Sequence, residues 1–291
     1  MNYIDEFLNY IKNDKNYSDL TYESYKKDLS EFKSYVSKDL LMVTKNDIKF
    51  YLQVLFDHDN QNSTVSRKIS TLKSFYKYLK NEDFILINPA SNIKYPKKEK
   101  RLPKFIQYND LEKILVVSKN GTFGERNSLI IELMYSTGVR VSELVNIKIN
   151  DIDFSKHQIR IMGKGSYERY VFYGDYTDEI LSKYINNLRI KLLGNKNNDY
   201  LILNKDGDKI TTRGIAKIID NIIKETSINI SVSPHSLRHT FATHLLDGGC
   251  DLRSVQELLG HKSINSTEVY THVTSERLKS VYIKAHPRSR I

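Results

Sequence analysis

Six side chains in this 291-residue chain have the types and the order that a tyrosine needs to cleave a phosphodiester: Arg140, Lys164, His235, Arg238, His261 and Tyr270. The phenol of Tyr270 has an ordinary pKa of about 10, so its proton must leave at or near attack. The pentacoordinate phosphorane that follows gains negative charge on its non-bridging oxygens. Two guanidinium forks can hold such oxygens bidentately, and Arg140 and Arg238 are the candidates. The imidazoles of His235 and His261 can take the tyrosine proton or add hydrogen bonds to the phosphate. The leaving 5′-oxygen needs an acid, which Lys164 on a hairpin tip could supply. Positioned cations and donors of this kind stabilise the charge without a metal or other cofactor.

Each of these residues must be carried by an element of the fold. Arg140 follows Thr137-Gly138, where glycine ends a helix over 125–136, and it opens a further helix through Leu144. Glu143 in that helix is expected to orient Arg140 or another buried donor. Lys164 lies in Gly163-Lys164-Gly165, between two strand-like runs at 158–162 and 170–173. A helix over 177–193, a short strand over 200–203 and an Asp206-Gly207 turn come next. From Thr211 the pattern is helical to the end, broken at 231–234, at Gly248-Gly249 and at Gly260. A helix lies earlier, over 110–117.

Upstream of this, the chain reads as a module of four helices with short loops. Ile4, Phe7, Leu8 and Ile11 share one helical face. Tyr22, Tyr25, Leu29, Phe32 and Val36 share another. Thr44 is the expected cap of a third helix and Ser63 of a fourth. Lys26, Lys27, Lys33, Arg67, Lys68, Lys73 and Lys77 fall on the polar faces of the second and fourth helices. They read either as a solvated surface or as phosphate contacts. Asn88-Pro89 ends the pattern, and two prolines around a basic run that includes Lys97 and Lys98 keep the next stretch extended. The organisation expected is a helical domain over 1–94, a linker over 95–104 and a catalytic domain over 105–291.

Lys and Arg outnumber Asp and Glu by 45 to 35, a net charge of +10 carried in both parts of the chain. That balance suits a polyanionic partner, and it fits nucleic acid or an anionic membrane surface equally well. A single cysteine, Cys250, excludes an internal disulfide and a cysteine-rich metal site. It is expected to fill a small apolar gap beside Gly248 and Gly249. The first residues lack the apolar core of a signal peptide, and no run approaches the roughly 20 apolar residues of a membrane span. A cytoplasmic protein is the expectation.

Two rival chemistries can be weighed on the residues. His235, His239 and His244 suggest zinc, but Arg238 stands among them and no glutamate follows His235. Gly163-Lys164-Gly165-Ser166 suggests a phosphate loop, but the first glycine of that motif is absent. His239 and His244 read as packing or hydrogen-bonding residues. His272 is open between a DNA contact and packing.

A His–x–x–Arg pair alone is weak, expected roughly 0.4 times by chance in a chain of this composition. The surrounding sequence is specific. Residues 137–144 (TGVRVSEL), 234–246 (PHSLRHTFATHLL), and Leu258-Leu259-Gly260-His261 followed by 270–273 (YTHV) resemble the boxes of the tyrosine recombinase family. The likeness is strongest to the bacterial Xer recombinases, and Glu276-Arg277-Leu278 and His286-Pro287-Arg288 extend it. It spans almost the whole chain, and all six catalytic positions carry the family's residue type.

The resemblance implies a mainly α fold with a small β-hairpin. A helical, SAM-like core-binding domain and a catalytic domain would clamp duplex DNA, with Lys26, Lys27, Arg67, Lys68, Lys73, Lys97 and Lys98 as its candidate DNA contacts. It implies that Tyr270 forms a 3′-phosphotyrosyl link and frees a 5′-hydroxyl, with no ATP. Four protomers would act on two sites through a Holliday junction, with a C-terminal helix (275–285; Leu278, Val281 and Tyr282 on one face) coupling neighbours or packing on its own core. The role implied is resolution of chromosome dimers at a dif-type site during chromosome partition and cell division. A second Xer recombinase and an FtsK-type motor are possible partners. A mobile-element integrase or a type IB topoisomerase-like relaxing enzyme shares the chemistry. The lack of an arm-binding domain argues against the larger phage integrases. A purely architectural DNA-binding protein would need one of the six positions replaced.

Overall fold

The structure, a computed structural model, describes residues 2–15, 17–58, 60–97, 105–163, 168–228, 230–260 and 272–289, with side chains from 275 onward in the last segment. The chain divides into two compact units, Met1–Arg101 and Leu102–Ile291.

The first unit is built from α1 (Tyr3–Asn13), α2 (Asp19–Val36), α3 (Lys45–Asp57) and α4 (Asn62–Asn81), with a single 3-10 turn at Leu40–Met42. The apolar spacing fixes which faces meet. Ile4, Phe7, Leu8 and Ile11 turn inward from α1 and join Leu29, Phe32, Phe75 and Tyr76. Thr44 caps α3 as expected: its hydroxyl accepts the Asp47 N–H, and the Asp47 carboxylate accepts the Thr44 N–H at 2.7 Å. Ser63 does not cap α4. That helix already starts at Asn62, and the Val65 N–H bonds to the Gln61 carbonyl, so Ser63 lies inside the first turn. Beyond the helices, Asn88 Oδ1 accepts the Ala90 N–H at 2.8 Å, and Ala90 and Ile93 bury themselves in the same core.

The second unit contains α5 (Tyr108–Ser118), α6 (Gly124–Thr137), α7 (Val141–Leu144), β1 (Ile152–Asp153), β2 (Gln158–Met162), β3 (Glu168–Phe172), α8 (Asp175–Asn186), α9 (Leu188–Leu193), α10 (Thr212–Glu225), α11 (Pro234–Asp247), α12 (Leu252–Leu259) and α13 (His272–Ala285). The centre is α6, which is buried on every side, with α5, α8 and α11 packed around it. The strands form one antiparallel sheet in the order β1-β2-β3, in which Ile161 faces Arg169 and Ile159 faces Val171.

Two expectations are corrected here. The helix expected over 177–193 is two helices, broken at Asn187 (φ −117°, ψ −86°), where the Leu188 N–H turns to the Glu125 carboxylate at 3.2 Å. Residues 200–203 form no ladder, only single bridges from Lys148 to Tyr200 and from Leu203 to Lys209. The C-terminal helix α13, read from the sequence as coupling neighbours or packing on its own core, places Leu278 and Tyr282 against Phe172, Phe241 and Leu245 of its own unit. Its end rests on Gly248, where a Cβ would sit 2.1 Å from the Ala285 oxygen, and Cys250 fills the same apolar cluster. Among the described residues no helix is long and apolar enough to cross a membrane.

Candidate active site

Arg140 stands at the N-terminus of α7 with extended backbone, and one carboxylate fixes it twice. Glu143, one turn on, accepts the Arg140 main-chain N–H at Oε2 and its Nη1 at Oε1, both at 2.8 Å. From behind, Arg169 on β3 donates Nη1 to Oε1 at 2.9 Å and Nη2 to Oε2 at 2.8 Å. Burial pushes the Glu143 carboxyl up. The bonds and charge of Arg169, with those of Arg140, overcome this and hold it at about 2. Glu143 is therefore ionised at any working pH.

The second guanidinium comes from α11. Ser233 caps this helix through the Ser236 N–H, and Pro234 occupies its first position, where a missing N–H costs nothing. Arg238, one turn in, is buried. Its Nη1 donates to the Gly138 carbonyl, and its Nη2 donates to the Leu259 carbonyl at 2.6 Å. Gly138 can present that carbonyl because it ends α6 at φ +60°, and a Cβ there would strike the Phe241 ring at 2.3 Å. Burial pulls the Arg238 guanidinium down to about 10, with the positive charge of Arg140 the next cause and that of Arg169 a further one. Three guanidinium groups thus gather about one carboxylate. The Arg140 side chain is 40% exposed, against 2% for Arg169, so Arg140 is the one open to solvent. An excess of buried positive charge with one open fork is a site for an anion.

The sequence-predicted residues fall into three groups. Arg140, Glu143 and Arg238 come together, and His235 is exposed three positions before Arg238, on the same side of α11. Lys164, His261 and Tyr270 lie outside the described residues. The chain just before His261 is fastened, since Leu259 accepts from Arg238 and Gly260 (φ +66°) lies against Arg169. Arg169 was missed. Its sequence signal was a charge at an inward position of a strand whose other inward residue is Val171.

Among the DNA-contact candidates of the first unit, Lys26, Lys27 and Lys97 are exposed, and Lys73 lies over the Tyr95 ring at 4.6 Å from its centroid. Lys68 is corrected. It is buried, 2.7 Å from Glu31 and 3.4 Å from Asp28. Its helix position turns inward, and its charge is met by two carboxylates. Arg67 is partly exposed and also pairs with Asp28. Lys98 lies outside the described residues. Among the described residues no three His, Cys, Asp or Glu side chains cluster as a metal would require. His244 is buried in a hydrogen bond with the Tyr135 hydroxyl at 2.9 Å.

A helical domain followed by a second domain with an arginine-lined site describes a class, and two family models match these parts. The phage integrase N-terminal SAM-like domain matches residues 4–83, and the phage integrase family matches residues 104–277. The chain belongs to the phage integrase family. It is 43% identical to the tyrosine recombinase XerC of Anoxybacillus flavithermus, over 97% of each chain. A XerA recombinase crystal structure is similar at 27% identity and a TM-score of 0.52, covering 99% of this chain and 100% of that one. A lambda integrase tetramer bound to a Holliday junction has the same fold, with a TM-score of 0.73 at 18% identity, covering 90% of this chain and 74% of that one.

Proposed function

We infer that this chain is a site-specific tyrosine recombinase, a DNA strand-transferase that needs neither metal nor ATP. Tyr270 attacks the scissile phosphate, forms a 3′-phosphotyrosyl link and releases a 5′-hydroxyl. The 5′-hydroxyl of a partner duplex then attacks that link and frees the tyrosine, so one phosphoester bond is exchanged for another at each step. Arg140 and Arg238 hold the non-bridging oxygens, His235 and His261 handle the tyrosine proton or bond to the phosphate, and Lys164 protonates the leaving oxygen. The observation that carries this reading is the meeting of Arg140 and Arg238 around Glu143, from segments far apart in sequence.

The finer reading is resolution of chromosome dimers at a dif-type site, by four protomers on two duplexes clamped between the two domains. The XerC relatives support the chromosomal role, and the lambda integrase tetramer supports the assembly. A second recombinase and an FtsK-type motor are the partners this role brings.

The test is covalent trapping on a nicked dif-like duplex from the source chromosome. A slow-migrating adduct that persists in EDTA and vanishes in Tyr270→Phe, with DNA binding retained, is expected. Loss of the adduct in EDTA overturns the mechanism. Binding without adduct directs the assay to a partner recombinase or activator, and no binding moves the substrate to a mobile-element site.

A further inference from the structure

We propose that Arg169 is the positioning residue of the phosphate clamp: through Glu143 it sets where Arg140 points, and with Arg238 it seats the turn that precedes His261 in the chain. The proposal rests on the reading that Arg140 holds the scissile phosphate.

Arg169 occupies a core-facing place on β3, paired with Ile161 and sharing its face with Val171. Its side chain is 2% exposed, so it is not itself presented to solvent as a phosphate ligand. Its two terminal nitrogens meet both oxygens of Glu143 in parallel, and a fork against a fork fixes the plane of the carboxylate as well as its place. The same two oxygens receive the Arg140 main-chain N–H and Nη1. Glu143 cannot turn without breaking all four bonds, so the orientation of Arg140 is inherited from β3.

The stem of Arg169 has a second contact. A Cβ on Gly260 would come 2.9 Å from its Cδ and Nε. Gly260 ends α12, and the preceding carbonyl, that of Leu259, is held by Arg238. Arg238 therefore holds this helix end by a hydrogen bond while the Arg169 stem packs against it, and Arg169 also aims Arg140. Stability alone is a poor account of Arg169. A buried ion pair is weak evidence for it, and the Arg169 Nε–H is buried without a hydrogen-bond partner among the described residues.

Arg169→Lys keeps the charge and loses the fork. Single-turnover adduct formation by the full chain on a nicked duplex should fall on the order of 100-fold, a loss of the size that misplacing a reacting group produces. DNA affinity should stay within about twofold, because Arg169 does not contact the substrate. Arg169→Gln combined with Glu143→Gln removes both members of the buried pair and should be no slower than Glu143→Gln alone, since both residues act through one path. A substrate with a methylphosphonate at the scissile position carries less charge for Arg140 to hold, so the deficit of Arg169→Lys should shrink by about tenfold on it.

A deficit unchanged by methylphosphonate, additive losses in the double variant, or wild-type cleavage by Arg169→Lys each overturns the proposal. If Arg169→Lys does not fold, the Gln pair decides by the same comparisons. Wild-type chain and Arg140→Ala run alongside. No wild-type adduct on any nicked site, with a partner recombinase and activator supplied, brings down the recombinase reading and this proposal with it. A wild-type adduct that survives in Arg140→Ala removes the premise alone.

Discussion

Arg238 on α11 donates from Nη1 to the main-chain oxygen of Gly138, 100 positions earlier in the chain. Gly138 is two residues before Arg140, so the backbone that carries one guanidinium is held by the other. Like charges repel, and burial lowers the affinity of Arg238 for its proton, so the two would not stay together by themselves. The carbonyls of Gly138 and Leu259 supply what holds Arg238, and Glu143 supplies what holds Arg140. The two guanidinium groups are thus held in place by the protein alone, which is what the proposed phosphate-holding role requires of a preorganised site.

Gly138→Ala should damage this assembly through the backbone. A left-handed conformation strains any residue with a Cβ, and that Cβ would also meet the buried Phe241 ring at 2.3 Å. The combined cost is about 2–5 kcal/mol. Gly121 has the same sign of φ but no heavy atom within 4 Å, so Gly121→Ala should cost only the backbone part, about 1 kcal/mol. Urea midpoints of the two variants, with unchanged m-values, measure the difference. Equal losses would mean that the contact with Phe241 is unimportant.

Arg238→Ala should show two separable losses. The carbonyls of Gly138 and Leu259 lose a donor, at about 1–3 kcal/mol each where no water replaces it. Adduct formation should fall by a further ~2–4 kcal/mol of transition-state stabilisation. Denaturation reads the first and single-turnover cleavage reads the second. A variant that is as stable as the wild type would remove the carbonyl contacts from the account.

In the first unit, Lys68 and Lys27 should behave oppositely although both are lysines on polar-looking helix positions. Lys68→Met takes the partner from Glu31, whose carboxyl Lys68 holds below its usual range against the upward push of burial. It should cost stability, about 1–3 kcal/mol, because Asp28 keeps Arg67 and the Thr71 hydroxyl. The salt dependence of DNA binding should be unchanged. Lys27→Ala should leave stability alone and reduce the slope of log affinity against log salt by about 1. A reduced slope in Lys68→Met would restore Lys68 to the DNA surface.

These contrasts mark what the sequence could convey. Apolar spacing at Ile4, Phe7, Leu8 and Ile11 has one solution on a helix, and Thr44 with Asp47 writes its own cap, so both were legible. Arg140, Glu143 and Arg238 could be chosen by residue type and by resemblance, but their meeting depends on Gly138 turning its carbonyl toward α11. Lys68 misled because the rotation of α4 about its axis is decided by Asp28 and Glu31 on another helix. Arg169 was missed for a related reason. Its partner lies 26 residues upstream, and an inward arginine on a strand is ordinarily excluded by burial. Asn187 breaks its helix because Glu125 captures the next N–H, a tertiary event that local propensity does not record.

A last prediction concerns the buried polar groups beneath the C-terminal segment. Glu132 on α6 is fully buried, accepts from the Thr177 hydroxyl at 3.2 Å, and has Arg288 at 3.9 Å, with Glu112, Lys119 and Tyr135 also facing it. Burial outweighs the charge of Arg288 and pushes its carboxyl up to about 7. The folded state therefore holds a proton that the unfolded chain has released, and the stability this gives is present below the unfolded pKa of about 4.5 and lost as pH rises toward 7. His286 runs the other way: burial, with the charge of His244 next, pulls it down to about 3, so its contribution grows as pH rises from there to its ordinary value of 6.5. The two slopes oppose each other between about 4.5 and 6.5. Glu132→Gln removes one of them. Relative to wild type, the variant should gain stability steadily from pH 4.5 to 7, reaching ~3 kcal/mol at pH 8. Urea titrations at pH 4.5, 6 and 8 measure the gain, and a pH-independent difference would show that Glu132 carries no shifted proton.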